Sequence, residues 1–325
     1  MEEIVNNIFS VSPSTFIQQA LNTFRYQYDE NKIYHQWVNV LNININEVTK
    51  LSQIPFLPVS FFKDYQVITG KFEPEVIFTS SGTTGTVSSK HIVRQIELYK
   101  QSFTEGFKKF YNNPEDWCII GLLPSYLERK GSSLVMMVEE LIKLSGHNKS
   151  GFYLNEFEEL ANVLKELEAQ KQKTLLIGVT FALLDFAERF SMQLQNTIII
   201  ETGGMKGRRK EMVREDVHSF LQKQFNVFAI HSEYGMTELL SQAYSSGSGV
   251  YNNVPWMKVL VRDEDDPLSI TEKGRGLINV IDLANVHSCS FIATDDVGRI
   301  FEDGSFEVSG RRDNSDIRGC SLMAI

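Results

Sequence analysis

The stretch Thr79-Ser80-Ser81-Gly82-Thr83-Thr84-Gly85, continued by Thr86-Val87-Ser88-Ser89-Lys90, follows the apolar run Val76-Ile77-Phe78. Two glycines among hydroxyl side chains let the main chain approach an anion closely, and the loop amides and hydroxyls supply donors. The spacing is not that of a Walker loop. Taken alone, such a segment reads equally as a polar surface loop. Its place behind an apolar strand favours a phosphate-binding loop, because ligands of open α/β sheets sit at the carboxyl ends of the strands.

Working outward, apolar runs alternate with helical periodicity. Thr15–Glu30 reads as an amphipathic helix started by Ser12-Pro13-Ser14. Val76–Thr79, Trp117–Leu123, Leu175–Val179, Thr197–Glu201 and Val227–Ile230 read as buried strands. Arg94–Phe110, Ser132–Leu144, Glu156–Lys171, Ala182–Leu194 and Arg208–Phe225 read as helices, with Gly146 placed to stop the second of them. This order predicts an α/β body with a largely parallel sheet covered on both faces. After about Tyr244 the helical period fades. Short strands are expected at Trp256–Val261, Gly276–Asp282, Gly298–Phe301 and Ser305–Val308, with a hairpin turn at Glu302-Asp303-Gly304-Ser305. The expected division is a body over residues 1–245 and a smaller β-rich subdomain over 246–325.

The chain has 325 residues, 42% of them hydrophobic and 22% charged, enough for a large core and unlike a disordered chain. A net charge of −9 leaves no global basic footprint for nucleic acid. No apolar run is long enough to span a membrane, and Met1–Ser10 has no signal-peptide pattern. Cys118, Cys289 and Cys320 are far apart, with no zinc spacing. They read as reduced thiols of a cytoplasmic protein.

Three further constellations carry chemistry. In Tyr234-Gly235-Met236-Thr237-Glu238, a carboxylate beside a hydroxyl could hold Mg²⁺ and a phosphate oxygen. In Thr294-Asp295-Asp296-Val297-Gly298, a carboxylate next to a turn could accept both hydroxyls of a ribose. In Gly310-Arg311-Arg312-Asp313, arginine offers paired donors to ribose or phosphate oxygens. Alone, these read equally as a turn with a solvated glutamate, an acidic turn and a charged tail. His231, just before the second motif, could orient a carboxylate or phosphate.

Taken in order, the set resembles the adenylate-forming superfamily of acyl-CoA synthetases, luciferases and peptide-synthetase adenylation domains, over roughly Ile54–Gly319. Ser80–Gly85 resembles its phosphate loop and Tyr234–Glu238 its YGxTE motif. Thr294–Asp296 resembles its TGD motif and Gly310–Asp313 its GRxD motif. Glu201-Thr202-Gly203-Gly204 stands where the family has a Gly-rich segment beside the adenine pocket. The resemblance implies ATP and Mg²⁺ as cofactors. It implies that Ser80, Ser81, Gly82, Thr83, Thr84 and Gly85 form the phosphate loop, with Thr83 and Thr84 contacting phosphates. Thr237 would touch the α-phosphate and Glu238 would be the metal ligand, with Gly235 in the same motif. Asp296 would bind the ribose hydroxyls, helped by Arg311. Tyr234 would lie against adenine, and Gly203 and Gly204 would leave room for base and acyl chain. Tyr126 stands where the family places a residue near the acyl pocket.

The sequence departs from that pattern in three places. The phosphate loop ends in Val87-Ser88-Ser89-Lys90 instead of the usual Pro-Lys, so Lys90 is a possible substitute. TGD has become Thr294-Asp295-Asp296. The chain ends at Ile325, where the family continues into a mobile lid domain that carries a lysine, so that lid is expected to be missing. The short form resembles the acyl-protein synthetases of the bacterial luciferase fatty-acid reductase system. Those move the activated acyl group to their own cysteine near the C-terminus, and Cys320 is the residue that would match. The implied reaction is ATP-dependent activation of a fatty or other carboxylic acid, then transfer to a thiol, with an acyl-acceptor or carrier protein as a possible partner. The rival readings are a small acyl-CoA or acyl-carrier-protein ligase and a non-catalytic nucleotide- or partner-binding remnant.

Overall fold

A computed structural model describes residues 2–80, 87–124, 131–154, 156–203 and 212–312. Its described residues divide into two compact units. The first comprises residues 2–106, Gly235–Ala243 and the described residues from Asn252 onward; the second comprises those of Phe107–Tyr234 and Tyr244–Tyr251. This division differs from a single cut at 245/246, because the N-terminal hundred residues cluster with the C-terminal strands.

The second unit is the expected parallel sheet. Its strands run in the order His231–Tyr234, Thr197–Glu201, Thr174–Gly178, Cys118–Leu122 and Gly151–Phe152, all parallel. The strands at 118–122 and 174–178 are buried at every position, as a sheet covered on both faces requires. The helices Ser133–Ser145, Phe157–Ala169, Thr180–Arg189 and Arg214–Phe225 alternate with them. The first begins on Ser132, whose hydroxyl accepts from the Val135 amide at 3.3 Å. It stops at Gly146 with φ +62°, as expected from the sequence. Glu168 fixes the entry to the 197–201 strand by accepting from the Gln195 and Asn196 amides at 3.0 Å and from the Thr197 hydroxyl at 2.7 Å.

Val227–Ile230, expected as the next strand, is not one. The strand that joins the sheet is the more polar His231–Tyr234, registered Ile200↔His231 and Glu201↔Ser232. Asn226 takes the left-handed conformation at φ +50°, and Phe228 is 99% exposed. Hydrophobicity marked the approach to this strand instead of the strand itself.

The first unit holds an antiparallel sheet. Met257–Arg262 pairs on one side with Ile270–Thr271 and on the other with Gly274–Asp282. Phe291–Ile300 and then Phe306–Arg311 follow, and Leu57–Pro58 runs parallel to Phe291–Ile300. Val76–Thr79 was expected in the parallel sheet. It forms a two-stranded antiparallel ribbon with Lys90–Val93, with Phe78 buried and Ile77 43% exposed. The N-terminal helix Phe16–Glu30 is tied to the far end of the sequence through Gln27. The Gln27 amide donates to the Asn285 and Val286 carbonyls at 3.0 Å and accepts from the Ser290 amide at 2.9 Å. Asn31 and Thr69 both donate to the Ser288 carbonyl. These long-range polar ties explain why residues 2–106 belong with the C-terminal strands.

Candidate active site

In the first unit, Met236–Leu239 is a tight turn closed by the Leu239 amide on the Met236 carbonyl at 3.0 Å, with Thr237 and Glu238 at its centre. Glu238 is fully buried. Its Oε1 accepts from the Ser89 hydroxyl. The Ser89 amide in turn donates to the Ser80 hydroxyl at 2.9 Å, and the Ser80 amide to the Ser89 carbonyl at 3.1 Å. The two ends of the sequence-predicted phosphate loop are therefore stitched together, and one of them bonds Glu238.

The main chain of the same turn is held from two other segments. His91 Nδ1 lies 2.8 Å from the Thr237 carbonyl, and Asn285 Nδ2 donates to the Glu238 carbonyl at 2.7 Å. Just beyond, Asp282 accepts from the Leu240 amide at 2.8 Å and from the Ser241 amide and hydroxyl at 3.0 and 2.6 Å. Burial raises the pKa of Asp282 against the pull of these donors. Burial also pushes His91 down to about 4, so it is neutral near pH 7.

Asp296 and Arg311 also lie in the first unit. They are register partners on adjacent strands, with Arg311 Nε 2.9 Å from Asp296 Oδ1. The Thr294–Asp296 segment is not a turn, as its composition suggested, but part of the strand Phe291–Ile300. The register shifts nearby, between Val297 and Gly298. A Cβ on Gly298 would stand 2.3 Å from the Glu307 carbonyl, so the strand needs glycine there. Arg262 braces the segment by donating to the Thr294 carbonyl at 2.6 Å and to Asn279 Oδ1 at 2.6 Å. The Thr294 hydroxyl accepts from the Asp296 amide at 3.1 Å. Arg311 is a strand residue, where a charged tail was the alternative.

In the second unit, Glu201 ends its strand buried and fully engaged. It accepts from the Thr180 hydroxyl and from the Gly203 amide at 2.7 Å, and His218 Nε2 lies 3.9 Å away. These donors, His218 first and then Thr180, lower its pKa against the opposing effect of burial. Gly203 has φ +75°, a conformation that favours glycine. Tyr234 is buried against Tyr251, with ring centroids 5.9 Å apart. His231 meets the Tyr111 hydroxyl at 3.2 Å and bonds a phenol instead of a carboxylate. Burial and the Glu201 charge push Glu233 up to about 8.

Among the predicted site residues, Ser80, Gly203, Tyr234, Gly235, Thr237, Glu238, Asp296 and Arg311 are described. The first unit joins Ser80 to Glu238 through Ser89, and Asp296 to Arg311. Ser81, Gly82, Thr83, Thr84, Gly85, Gly204 and Cys320 lie outside the described residues, as does Tyr126. Lys90 is exposed and pairs with Thr79. Cys118 and Cys289 are buried, and burial pushes the Cys289 thiol up to about 12, as suits core thiols.

Sequence reading missed His91, Asp282 and Asn285. For Asp282 and Asn285 the signal was the polar spacing in Asp282-Leu283-Ala284-Asn285-Val286-His287, set inside an apolar run; His91 had none. The donor set fits magnesium. Glu238 and the Ser89 hydroxyl bonded to it are hard oxygen donors, and magnesium takes one or two carboxylates plus substrate phosphates. Among the described residues no group of three or more His, Cys, Asp or Glu side chains is placed to hold a metal ion.

No protein-family profile matches the chain. It is 24% identical over 300 residues to the long-chain-fatty-acid–luciferin-component ligase of Aliivibrio fischeri, covering 86% of this chain and 77% of that protein. It is 23% identical over 322 residues to the Vibrio harveyi protein of the same name, covering 92% and 84%. Among solved structures, a 2-hydroxyisobutyryl-CoA ligase bound to 2-HIB-AMP and CoA aligns with a TM-score of 0.67 at 11% identity, over 95% of this chain and 71% of that one. ATP-bound MatB from Rhodopseudomonas palustris aligns with a TM-score of 0.55 at 19% identity, over 72% of this chain. The aligned part spans about half the length of MatB (47%). At these identities the solved structures speak for the fold. The chain thus has the fold of adenylate-forming enzymes and is similar in sequence, over most of its length, to these two long-chain-fatty-acid ligases.

Proposed function

We propose that this protein activates a carboxylic acid, of the fatty class, as an acyl adenylate at the expense of ATP, and then passes the acyl group to a thiol. The observation that carries the reading is the Thr237–Glu238 turn. A buried carboxylate there is bonded to the stitched end of the phosphate loop, in a chain similar over most of its length to long-chain-fatty-acid ligases.

In the first step a carboxylate oxygen attacks the α-phosphorus of ATP. An oxygen–phosphorus bond forms, and the bond to the departing pyrophosphate breaks. The amides and hydroxyls of Ser80, Ser81, Gly82, Thr83, Thr84 and Gly85 bind the phosphates. Thr237 bonds an α-phosphate oxygen, and Glu238 holds the magnesium ion. Magnesium bound there supplies positive charge against the phosphate oxygens. Asp296, kept in place by Arg262 and Arg311, accepts the ribose hydroxyls. Tyr234 lies beside adenine, with Gly203 and Gly204 leaving room for base and acyl chain. Donors fixed in advance contribute most where charge develops in the transition state.

In the second step a thiolate sulfur attacks the acyl carbonyl. A carbon–sulfur bond forms, and the carbon–oxygen bond to AMP breaks. AMP leaves with the electron pair, and the thiol proton has already passed to solvent. Cys320 is the proposed acceptor.

ATP–pyrophosphate exchange across a panel of acids tests the first step, and fatty acids should support the fastest exchange. No exchange with any acid would remove the reading. Labelled acid with ATP tests the second: wild type should retain a thioester-bound label and Cys320→Ser should not. Turnover of Cys320→Ser with free CoA or a carrier thiol would move the acceptor off the chain.

A further inference from the structure

The first unit contains a small cavity walled by His91, Arg94, Leu98, Leu240, Asn285 and His287. Its volume, about 10 Å³, is on the measure by which one water site needs roughly 10–15 Å³. Three buried polar atoms of these lining residues lack a hydrogen-bond partner within the protein: His91 Nε2, Asn285 Oδ1 and His287 Nδ1. Their residues are 1%, 0% and 6% exposed. Buried polar atoms of native proteins are nearly always bonded, so three orphans on one cavity need an explanation.

For His91 and Asn285 the other end of the side chain settles the chemistry. His91 Nδ1 faces the Thr237 carbonyl, which can only accept. The proton is therefore on Nδ1, and Nε2 presents a lone pair to the cavity. Asn285 gives its amide N–H to the Glu238 carbonyl, so its oxygen faces the cavity. His91 and Asn285 come within hydrogen-bonding reach of each other, but two acceptors cannot bond one another. A single water satisfies both with its two hydrogens and keeps lone pairs that can accept from His287 Nδ1 when that nitrogen carries the proton.

We propose that one buried water bridges His91, Asn285 and His287, and that this node positions the Thr237–Glu238 turn. Each of two bridged side chains grips one carbonyl of the turn, so the water fixes the separation of the grips. His91 and Asn285 are positioning residues that act through Thr237 and Glu238. The role in nucleotide binding rests on the adenylation reading; the water and the tautomers do not.

The wild-type protein is tested first. A high-resolution crystal structure should show an ordered water within about 3.2 Å of His91 Nε2, Asn285 Oδ1 and His287 Nδ1. Long-range ¹⁵N–¹H spectra at pH 7 should show both imidazoles neutral and protonated on Nδ1. An empty or collapsed cavity, or a proton on His91 Nε2, overturns the node.

The second test is magnesium-dependent ATP binding by calorimetry. Affinity should fall about tenfold or more in Asn285→Leu, and by less in His287→Phe, which leaves both grips on the turn intact. Unchanged affinity in a folded Asn285→Leu protein overturns the positioning role. Should that variant not fold, unchanged affinity in His287→Phe with the water displaced does the same. If wild type binds no Mg-ATP, the adenylation reading and the positioning role fall together, while the water and tautomer results still stand.

Discussion

Glu238 and Glu201 are both buried carboxylates at or just past a strand end, yet they are held in different ways. Glu201 is met by a hydroxyl, a backbone amide and an imidazole of its own unit; against the upward push of burial, His218 and Thr180 lower its pKa. Glu238 is held by Ser89 and also through its main chain, since Asn285 and His91 grip the carbonyls of its turn. A carboxylate whose bonds are supplied by neighbouring side chains behaves as a strut. One whose backbone is clamped from outside stays placed whatever its oxygens bind, which suits a group that must accept and release a ligand. Burial is common to both carboxylates; they differ in the manner of anchoring, and it is that difference which fits the role proposed for Glu238.

The contrast between the two carboxylates predicts a large difference in how their variants behave. Glu238→Gln should lower the rate of pyrophosphate exchange by about 10²–10³-fold, the usual loss when one preorganised electrostatic partner is removed. Its Tm should stay within a few degrees of wild type, because the turn keeps its backbone anchors. Exchange within threefold of wild type would put Glu238 in the same class as Glu201. Thr180→Val should behave the other way. It removes a donor to a buried charge and should cost about 1.5–3 kcal/mol in urea denaturation. Asp296→Asn should act on binding, raising the KM for ATP about tenfold with a smaller change in kcat; equal loss of both would point to misplacement of the strand instead.

The smallest effects are in pH dependence, and the two units should respond with opposite sign. In the first unit burial pushes His91 and His287 down to about 4. The unfolded chain takes up these protons near pH 6.5 and the folded chain only near 4. Stability from this source is full above pH 6.5 and is lost as pH falls toward 4. In the second unit Glu233 is raised to about 8 against an ordinary 4.5. The folded state keeps that proton while the unfolded state releases it, so stability falls as pH rises from 4.5 to 8. Glu233→Gln should therefore raise the Tm at pH 9 and leave it unchanged at pH 4. His287→Phe should flatten the acid limb between pH 6.5 and 4. A Glu233→Gln Tm that tracks wild type throughout would show that the carboxyl is not buried in the sense its neighbours imply.

Much of the second unit was legible in the sequence. The 197–201 strand has the bounds its apolar run suggested, and Gly146 ends its helix in the left-handed conformation. These are short-range effects, set by residues within a few positions of one another. Val227–Ile230 misled for the same reason. Local hydrophobicity selected it, while the sheet accepted His231–Tyr234, whose polar side chains find Tyr111 and His218. Thr294–Asp296 read as a turn because it is acidic and followed by Gly298. Pairing with distant strands made it part of a strand instead.

The α/β alternation and the motifs that resemble those of adenylate-forming enzymes can be read from the chain alone, because period, caps and motif spacing are local properties. Only the tertiary structure decided that Val76–Thr79 pairs with Lys90–Val93, that residues 2–106 belong with the C-terminal strands, and that Thr237 and Glu238 are clamped by His91 and Asn285. The clamping contacts join residues 47 and 146 positions apart. No local signal encodes them, because such bonds form only after chain closure has brought the partners together and burial has made an unpaired polar group too costly to leave.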